Sequence, residues 1–488
     1  MINFHRTPLR LLSFCLTCTL TATVPFARSQ TLARPGWVGS GITTDLWWKR
    51  AIIYEVNPAD FNPIGSSGIH GVTERLDYIH SLGTDAILLT PLQPDATHAQ
   101  EIAPNLGTLD DFDDLLREAS SRHLRVLLDL DPAIPAADLP SVARFWLNRG
   151  IAGFHVSGTN DAARTQAATL RTANASYLGQ RILIADADPN LPPASQPQPQ
   201  PEPATRGRHH AHARSQRKST TGAPATTFTT LDTQLPQLLL DNRLGAITSL
   251  SATAIRPVIE RLQDIQQTGH SLPLLATDGP TSTRSMSRYA DGKHDLAIAK
   301  LLATLLFTTR AESLIYYGQE LGVRSSSASA ATTPLIIWDA PPAPAKGQLV
   351  SAPEASAPDT APNAAPNAAL EDANPNSLLN WYRQLSALHH GNATLASGAS
   401  ITINHDDQNV LVLVRKPKVV SAGSPVLVLL FNLTAQPVRL SLKADITKLG
   451  LRGSFLRTIL RSDEGMGTMH LDEMTLAPYC AYIGELRY

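Results

Sequence analysis

The stretch "GVTERLDYIHSLGTDAILLTPL" (71–92) decides the fold class. Val72, Leu76, Ile79 and Leu82 recur at helical spacing, and beyond Gly83 the run from Ala86 to Leu92 is almost continuously apolar, as in a strand buried on both faces. A second apolar run precedes it in "AIIYEVNPADF" (51–61). Strand, helix and strand in that order predict a parallel βαβ unit, because parallel neighbours need a crossover connection.

The alternation continues along the chain. "TLDDFDDLLREASSRH" (108–123) reads as a helix with acidic residues in its first turn, "LRVLLDLD" (124–131) as a strand, "LPSVARFWLNRG" (139–150) as a helix and "IAGFHVSG" (151–158) as the next strand. "TQAATLRTANASYLG" (165–179) and "RILIAD" (181–186) form another helix and strand. "SLPLLATDGP" (271–280), "DLAIAKLLATLLFTTR" (295–310) and "ESLIYYGQE" (312–320) add strand, helix and strand. So many β/α units predict an α/β fold of the (β/α)8 TIM-barrel type rather than a doubly wound sheet.

After the helical "LLNWYRQLSALHH" (378–390) the pattern changes to short strands such as "VLVLVRK" and "VLVLLFNL", which predict a C-terminal antiparallel β-sandwich. The expected organisation is a signal peptide at 1–29, a linker at 30–46, the barrel at 47–339, its final helix at 376–398 and the β-domain at 399–488. Residues 189–226 and 340–375 are rich in Pro, Ala and Ser and poor in large apolar side chains, so both are expected as disordered insertions. The first contains "RGRHHAHARSQRK" (206–218). Its His209, His210 and His212 read as part of a solvated basic run rather than as metal ligands.

Lys plus Arg number 41 against 42 for Asp plus Glu. That balance supplies no electrostatic field for nucleic acid or an anionic membrane, and a small neutral ligand fits it better. Arg6 and Arg10 precede an apolar stretch that ends at Phe26, followed by Ala27-Arg28-Ser29, so the chain is expected to be secreted or periplasmic, with no membrane span after cleavage. Cys15 and Cys18 lie within that leader, leaving Cys480 alone, which argues against a disulfide or a thiolate metal site. Neither a metal nor a cofactor is expected.

"WWKRAIIYEVNPADF" (47–61), "LDYIHSLGTDAILLTPL" (76–92), "LGTLDDFDDLLREASSRHLRVLLDL" (106–130), "RFWLNRGIAGF" (144–154), "LIYYGQELG" (314–322), "TPLIIWD" (333–339) and "NSLLNWYRQLSAL" (376–388) together resemble the α-amylase family of glycoside hydrolases, nearest its α-glucosidase and trehalose-synthase branch. The resemblance implies a retaining mechanism on α-glucosides. Such a mechanism needs a nucleophilic carboxylate and an acid/base carboxyl about 5 Å apart, and in this family a third carboxylate holds sugar hydroxyls.

Matched onto this chain, the family's motifs are altered. The nucleophile aspartate falls on Ser157 and the arginine two residues before it on His155. A serine brings neither charge nor a low pKa, and a His155–Ser157 dyad would lack an orienting acid. The acid/base glutamate falls on Asp186, one methylene shorter. The third carboxylate is kept as Asp278, but the histidine before it is Thr277. Asp129 matches a structural aspartate, and Asp129, His155, Thr277 and Tyr54 are the expected substrate-binding positions. The small domain normally inserted after the third strand is essentially absent, since only "PAIPAADLP" (132–140) stands there.

Three functions follow as expectations. The first is a catalytically impaired or inactive homologue that binds α-glucan or maltooligosaccharide. The second is an active hydrolase or transglycosylase using Asp186 and Asp278 with a displaced nucleophile such as Asp161 or Asp188. The third is an assembly barrel without sugar binding. Glu55 and Asp60 are expected as loop residues above the first strand and Glu320 as a structural carboxylate.

Overall fold

The computed structural model describes residues 46–61, 68–188, 235–267, 271–325, 336–339, 365–421 and 423–488. The expected leader at 1–29, the linker up to 45, the insertion 189–226 with its histidines and residues 340–364 lie outside them.

Eight parallel strands close a barrel in sequence order: β1 Ile52–Val56, β2 Ala86–Leu89, β3 Arg125–Leu130, β4 Gly153–Val156, β5 Ile182–Asp186, β6 Leu238–Asp241, β7 Leu272–Ala276 and β8 Glu312–Tyr316. The ring closes where Ile53 pairs with Leu314 and Glu55 with Tyr316. The expected TIM barrel is therefore present. β6, in "QLLLDN", is a strand that the apolar pattern did not single out.

Side-chain parity divides each strand between two cores. Ile53, Leu88, Leu127, Ile184, Leu240, Leu274 and Leu314 point inward and fill the lumen above Trp48. Ile52, Tyr54, Val56, Ile87, Leu128, Phe154, Leu183 and Ile315 point outward into the layer shared with the helices. Burial on both sides explains why these strands read as unbroken apolar runs. The helix Leu109–Ser121 shows how the outer layer is locked: Thr108 and Asp111 form a reciprocal capping box, and Phe112, Leu115 and Ala119 turn toward the barrel.

Only Asp131 to Asp138 separate β3 from the helix Leu139–Arg149, so no domain is inserted at that point. The Pro/Ala-rich run expected to lack structure through 375 corrects itself at its end. Asn367 accepts a hydrogen bond from the Leu370 N–H and caps the helix Ala368–Ala373, whose alanines favour that state.

The C-terminal sheet runs in the order β14-β13-β16-β11-β10-β9 (Met469–His470, Phe455–Arg461, Ala481–Arg487, Leu427–Asn432, Val410–Lys416, Ala399–Ile403), and β12 Val438–Leu440 pairs with β15 Met474–Leu476. Leu411, Leu413, Leu429, Phe431 and Ile483 join the barrel's core, whereas Val410, Val412, Val414, Leu430 and Tyr482 pack with Leu471, Met474 and Leu476. Alternation along each strand thus makes the two-layer β-domain and docks it at once. Arg415 crosses that junction fully buried, donating to Thr308 O at 2.7 Å and Gly398 O at 3.1 Å.

Candidate active site

At the C-terminal ends of the strands the inward positions become polar, on the face where barrel enzymes hold their sites. Glu55, Asp129, His155, Ser157 and Asp186 share the parity of the lumen residues. Gly153 makes the close approach beneath them possible. Its φ is +146°, and a Cβ there would lie 1.9 Å from the Ile182 carbonyl oxygen, so only glycine lets β4 sit against β5 in this way.

His155 organises the cluster. Its Nε2 lies 3.2 Å from Asp186 Oδ1, and its Nδ1 lies 3.2 Å from Asp129 Oδ1 as an ion pair set off the line of a hydrogen bond. Burial by itself would drive the proton from this ring, but the two carboxylates outweigh burial and hold its pKa well above the ordinary histidine value. Both nitrogens are accordingly donors in an imidazolium.

Asp186 is occupied on both oxygens. Besides His155, the Gly158 N–H donates to its Oδ2 at 2.7 Å. Burial works against ionisation here too, but the hydrogen bond and charge of His155 prevail, and the Asp186 pKa lies below the usual carboxylate range. Ser157 donates to Asp129, 3.3 Å from Oδ1 and 3.2 Å from Oδ2, and not to His155. The serine–histidine dyad is thus not formed, and the serine hydroxyl satisfies a neighbouring carboxylate instead.

Glu55 corrects the expectation of a loop residue. It lies within β1, is 5% exposed and faces the lumen. Burial pushes its pKa up to about 7, the positive charges of His155 and Arg284 pulling it down and the carboxylates Asp129 and Asp186 pushing it up. A carboxylate inside the apolar run "IIYEV" was the signal available in the sequence. Arg284 gave no such signal. It stacks 4.1 Å from the Tyr316 ring centroid, donates to Tyr317 O at 2.7 Å and leaves Nη2 buried without a partner among the described residues.

The remaining expected positions are elsewhere. Asp278 is 2% exposed and already bound: Ser285 N donates at 2.7 Å, Ser285 Oγ at 3.0 Å and Arg288 Nη2 at 3.1 Å. It anchors the short helix Ser285–Tyr289, and burial raises its pKa against the pull of Arg284 and Arg288. Thr277 accepts from Gln319 Nε2 at 2.6 Å. Tyr54 points outward, fully buried, and donates to Glu320 Oε1 at 2.8 Å, as does Tyr78. Tyr54 and Thr277 are therefore structural rather than lumen contacts, and Glu320 is the expected structural carboxylate. Asp161 and Asp188 both pair with Arg164, at 2.7 and 3.3 Å. Among the described residues no group of three or more His, Cys, Asp or Glu side chains could hold a metal ion, and no helix is long and apolar enough to cross a membrane.

Comparison with known proteins agrees with this architecture. The α-amylase catalytic-domain model matches residues 52–132. The trehalose-6-phosphate hydrolase of Escherichia coli is 41% identical over 95 residues, which span 17% of each chain. The amino acid transporter heavy chain of Oryctolagus cuniculus is 23% identical over 405 residues, 75% of this chain and 66% of that protein. Among solved structures, the trehalulose synthase of Pseudomonas mesoacidophila superposes with a TM-score of 0.66 at 16% identity, over 90% of this chain and 99% of that one. The chain spans about a sixth of the length of the first curated relatives it matches, so their activities do not transfer with the likeness. Residues 52–132 are thus similar to the α-amylase catalytic domain, and the closed barrel with the β-domain docked behind it has the fold of these solved structures.

Proposed function

We propose that this chain is an exported α-amylase-family protein that binds α-glucan or maltooligosaccharide at the barrel mouth and hydrolyses it feebly or not at all. One observation carries the reading: Asp186, at the acid/base position, is held as an anion by His155 and Gly158 N–H, opposite a serine where the nucleophile would stand. A general acid must carry its proton at the working pH. Asp186 does not, and Ser157 cannot form the glycosyl ester that retention requires. The alternative pair of Asp186 and Asp278 has little support, because Asp278 is committed to Ser285 and Arg288.

Export rests on the leader-like residues 1–29. A second reading, an assembly barrel that binds no sugar, draws support from the relative matched over 405 residues, whose name is that of a transporter heavy chain rather than a hydrolase. Calorimetry with maltotriose and turnover of p-nitrophenyl α-glucoside on one preparation separate the readings. Binding is expected, with turnover at least about a thousandfold below that of an enzyme with both carboxyls, the scale set by loss of a general acid. Ordinary turnover that disappears in Asp186→Ala would sink the first reading, and absence of binding would favour the second.

A further inference from the structure

Resting on that reading, we infer that Glu55 is a ligand-contacting residue of the barrel mouth and makes saccharide binding depend on pH. The observation behind it is geometric. Four polar side chains of the inward layer are committed to one another: Ser157 to Asp129, Asp129 to His155, and His155 to Asp186, which also takes the Gly158 N–H. Glu55 stands on the same parity, and no group among the described residues hydrogen-bonds its carboxyl. Of Glu55, Asp129 and Asp186, it is the carboxyl left to exchange hydrogen bonds with an incoming hydroxyl.

The charged and titratable groups that face Glu55 come from several elements. Asp129 lies on β3, His155 on β4 and Asp186 on β5. Arg284 follows β7, and the phenol of Tyr316 lies on β8. With Glu55 neutral, the charges of His155 and Arg284 balance those of Asp129 and Asp186. With Glu55 ionised, the mouth gains an uncompensated negative charge that a polyol ligand would have to desolvate. The neutral acid also donates a hydrogen bond, which a carboxylate cannot. Binding is therefore favoured by the protonated form, and its displaced titration places the change in the neutral range.

The test is calorimetric titration of the full chain with maltotriose from pH 5.5 to 8.5, for the native protein, Glu55→Gln and Glu55→Asp. Native affinity is expected to weaken above about pH 7, approaching tenfold per pH unit where only the protonated form binds. Glu55→Gln should bind with little change across the range. Glu55→Asp, which restores a titrating group, should restore a pH dependence, with its midpoint displaced. Equal pH profiles for the native chain and Glu55→Gln, with binding intact, overturn the role of Glu55 alone. Absence of binding in all three proteins at every pH, with native-like circular dichroism, overturns the saccharide reading and this inference with it.

Discussion

Glu55→Gln also tests the electrostatics of the lumen without any ligand. In the folded chain the carboxyl keeps its proton up to about pH 7, against about 4.5 for an ordinary glutamate. Below 4.5 both the folded and unfolded chains are protonated at this site, and the group costs nothing. Between 4.5 and 7 the folded state binds more protons than the unfolded one, so stability falls as pH rises and levels off above 7. At about 1.4 kcal/mol per pH unit the loss comes to about 3 kcal/mol. Glutamine has the shape of the protonated acid and does not titrate. The variant should match the native chain below about pH 4, exceed its stability by about 1 kcal/mol at pH 5 and by about 3 kcal/mol at pH 8. Urea unfolding followed by tryptophan fluorescence at pH 5, 6, 7 and 8 gives the difference directly, because other titrating groups cancel between the two proteins. A stability difference that stays constant over that range would refute the reasoning, since it would mean that Glu55 titrates alike in both states.

Three further outcomes follow from the same cluster. His155→Leu removes the cation between Asp129 and Asp186 and should cost about 3–5 kcal/mol near neutrality; because Asp186 titrates below its ordinary range, its share of the native stability is present above about pH 4 and fades as acid protonates it, so urea melts of the two proteins should converge at low pH. Gly153→Ala puts a methyl group onto the Ile182 carbonyl at a φ that L residues rarely adopt, and a loss of about 2 kcal/mol or more in the same assay is expected. Ser157→Asp restores the family's carboxylate but sets it against Asp129; it should lower stability by about 1–3 kcal/mol and leave p-nitrophenyl α-glucoside turnover unchanged, because Asp186 still lacks a proton to donate.

Much of the barrel was legible in the chain because its strands are buried on both faces and its helices carry one apolar stripe. β6 escaped because "LLLD" is short and follows a long run of Pro and polar residues, leaving no flanking helix pattern to pair it with. Asp129, His155, Ser157 and Asp186 could be named from aligned motifs, since each ends a strand whose partner is fixed by barrel order. Their mutual bonding could not, because hydrogen bonds between side chains on neighbouring strands depend on register. Without register the sequence offers Tyr54 as a substrate-binding position and Glu55 as a loop residue. On one strand those two residues must face opposite sides, and it is the packing of Ile53 in the lumen and of Tyr54 among the helices that shows Glu55 looks inward. Arg284 was beyond reach for another reason: it follows β7 in a loop, where no periodicity says what a long side chain will touch.

The altered residues keep the charge of the site while moving it. In the frame of the family a retaining mouth holds an arginine cation, a nucleophilic anion and a protonated acid. Here His155 is the cation, Ser157 is neutral and Asp186 is the anion. The sum is the same, so a barrel with the nucleophile removed need not bury an unpaired charge, whose cost would reach several kcal/mol. The partner of the cation has changed from the nucleophile position to the acid position. This exchange lets the fold hold a serine at 157 without leaving the cation at 155 unpaired. Under the proposed reading, efficient retaining hydrolysis would need two changes at least, a carboxylate at 157 and an acid at 186 freed from His155. The outward residues Ile52, Tyr54, Phe154 and Ile315 pack against the helices on the opposite parity, so changes at 157 and 186 leave that apolar layer untouched.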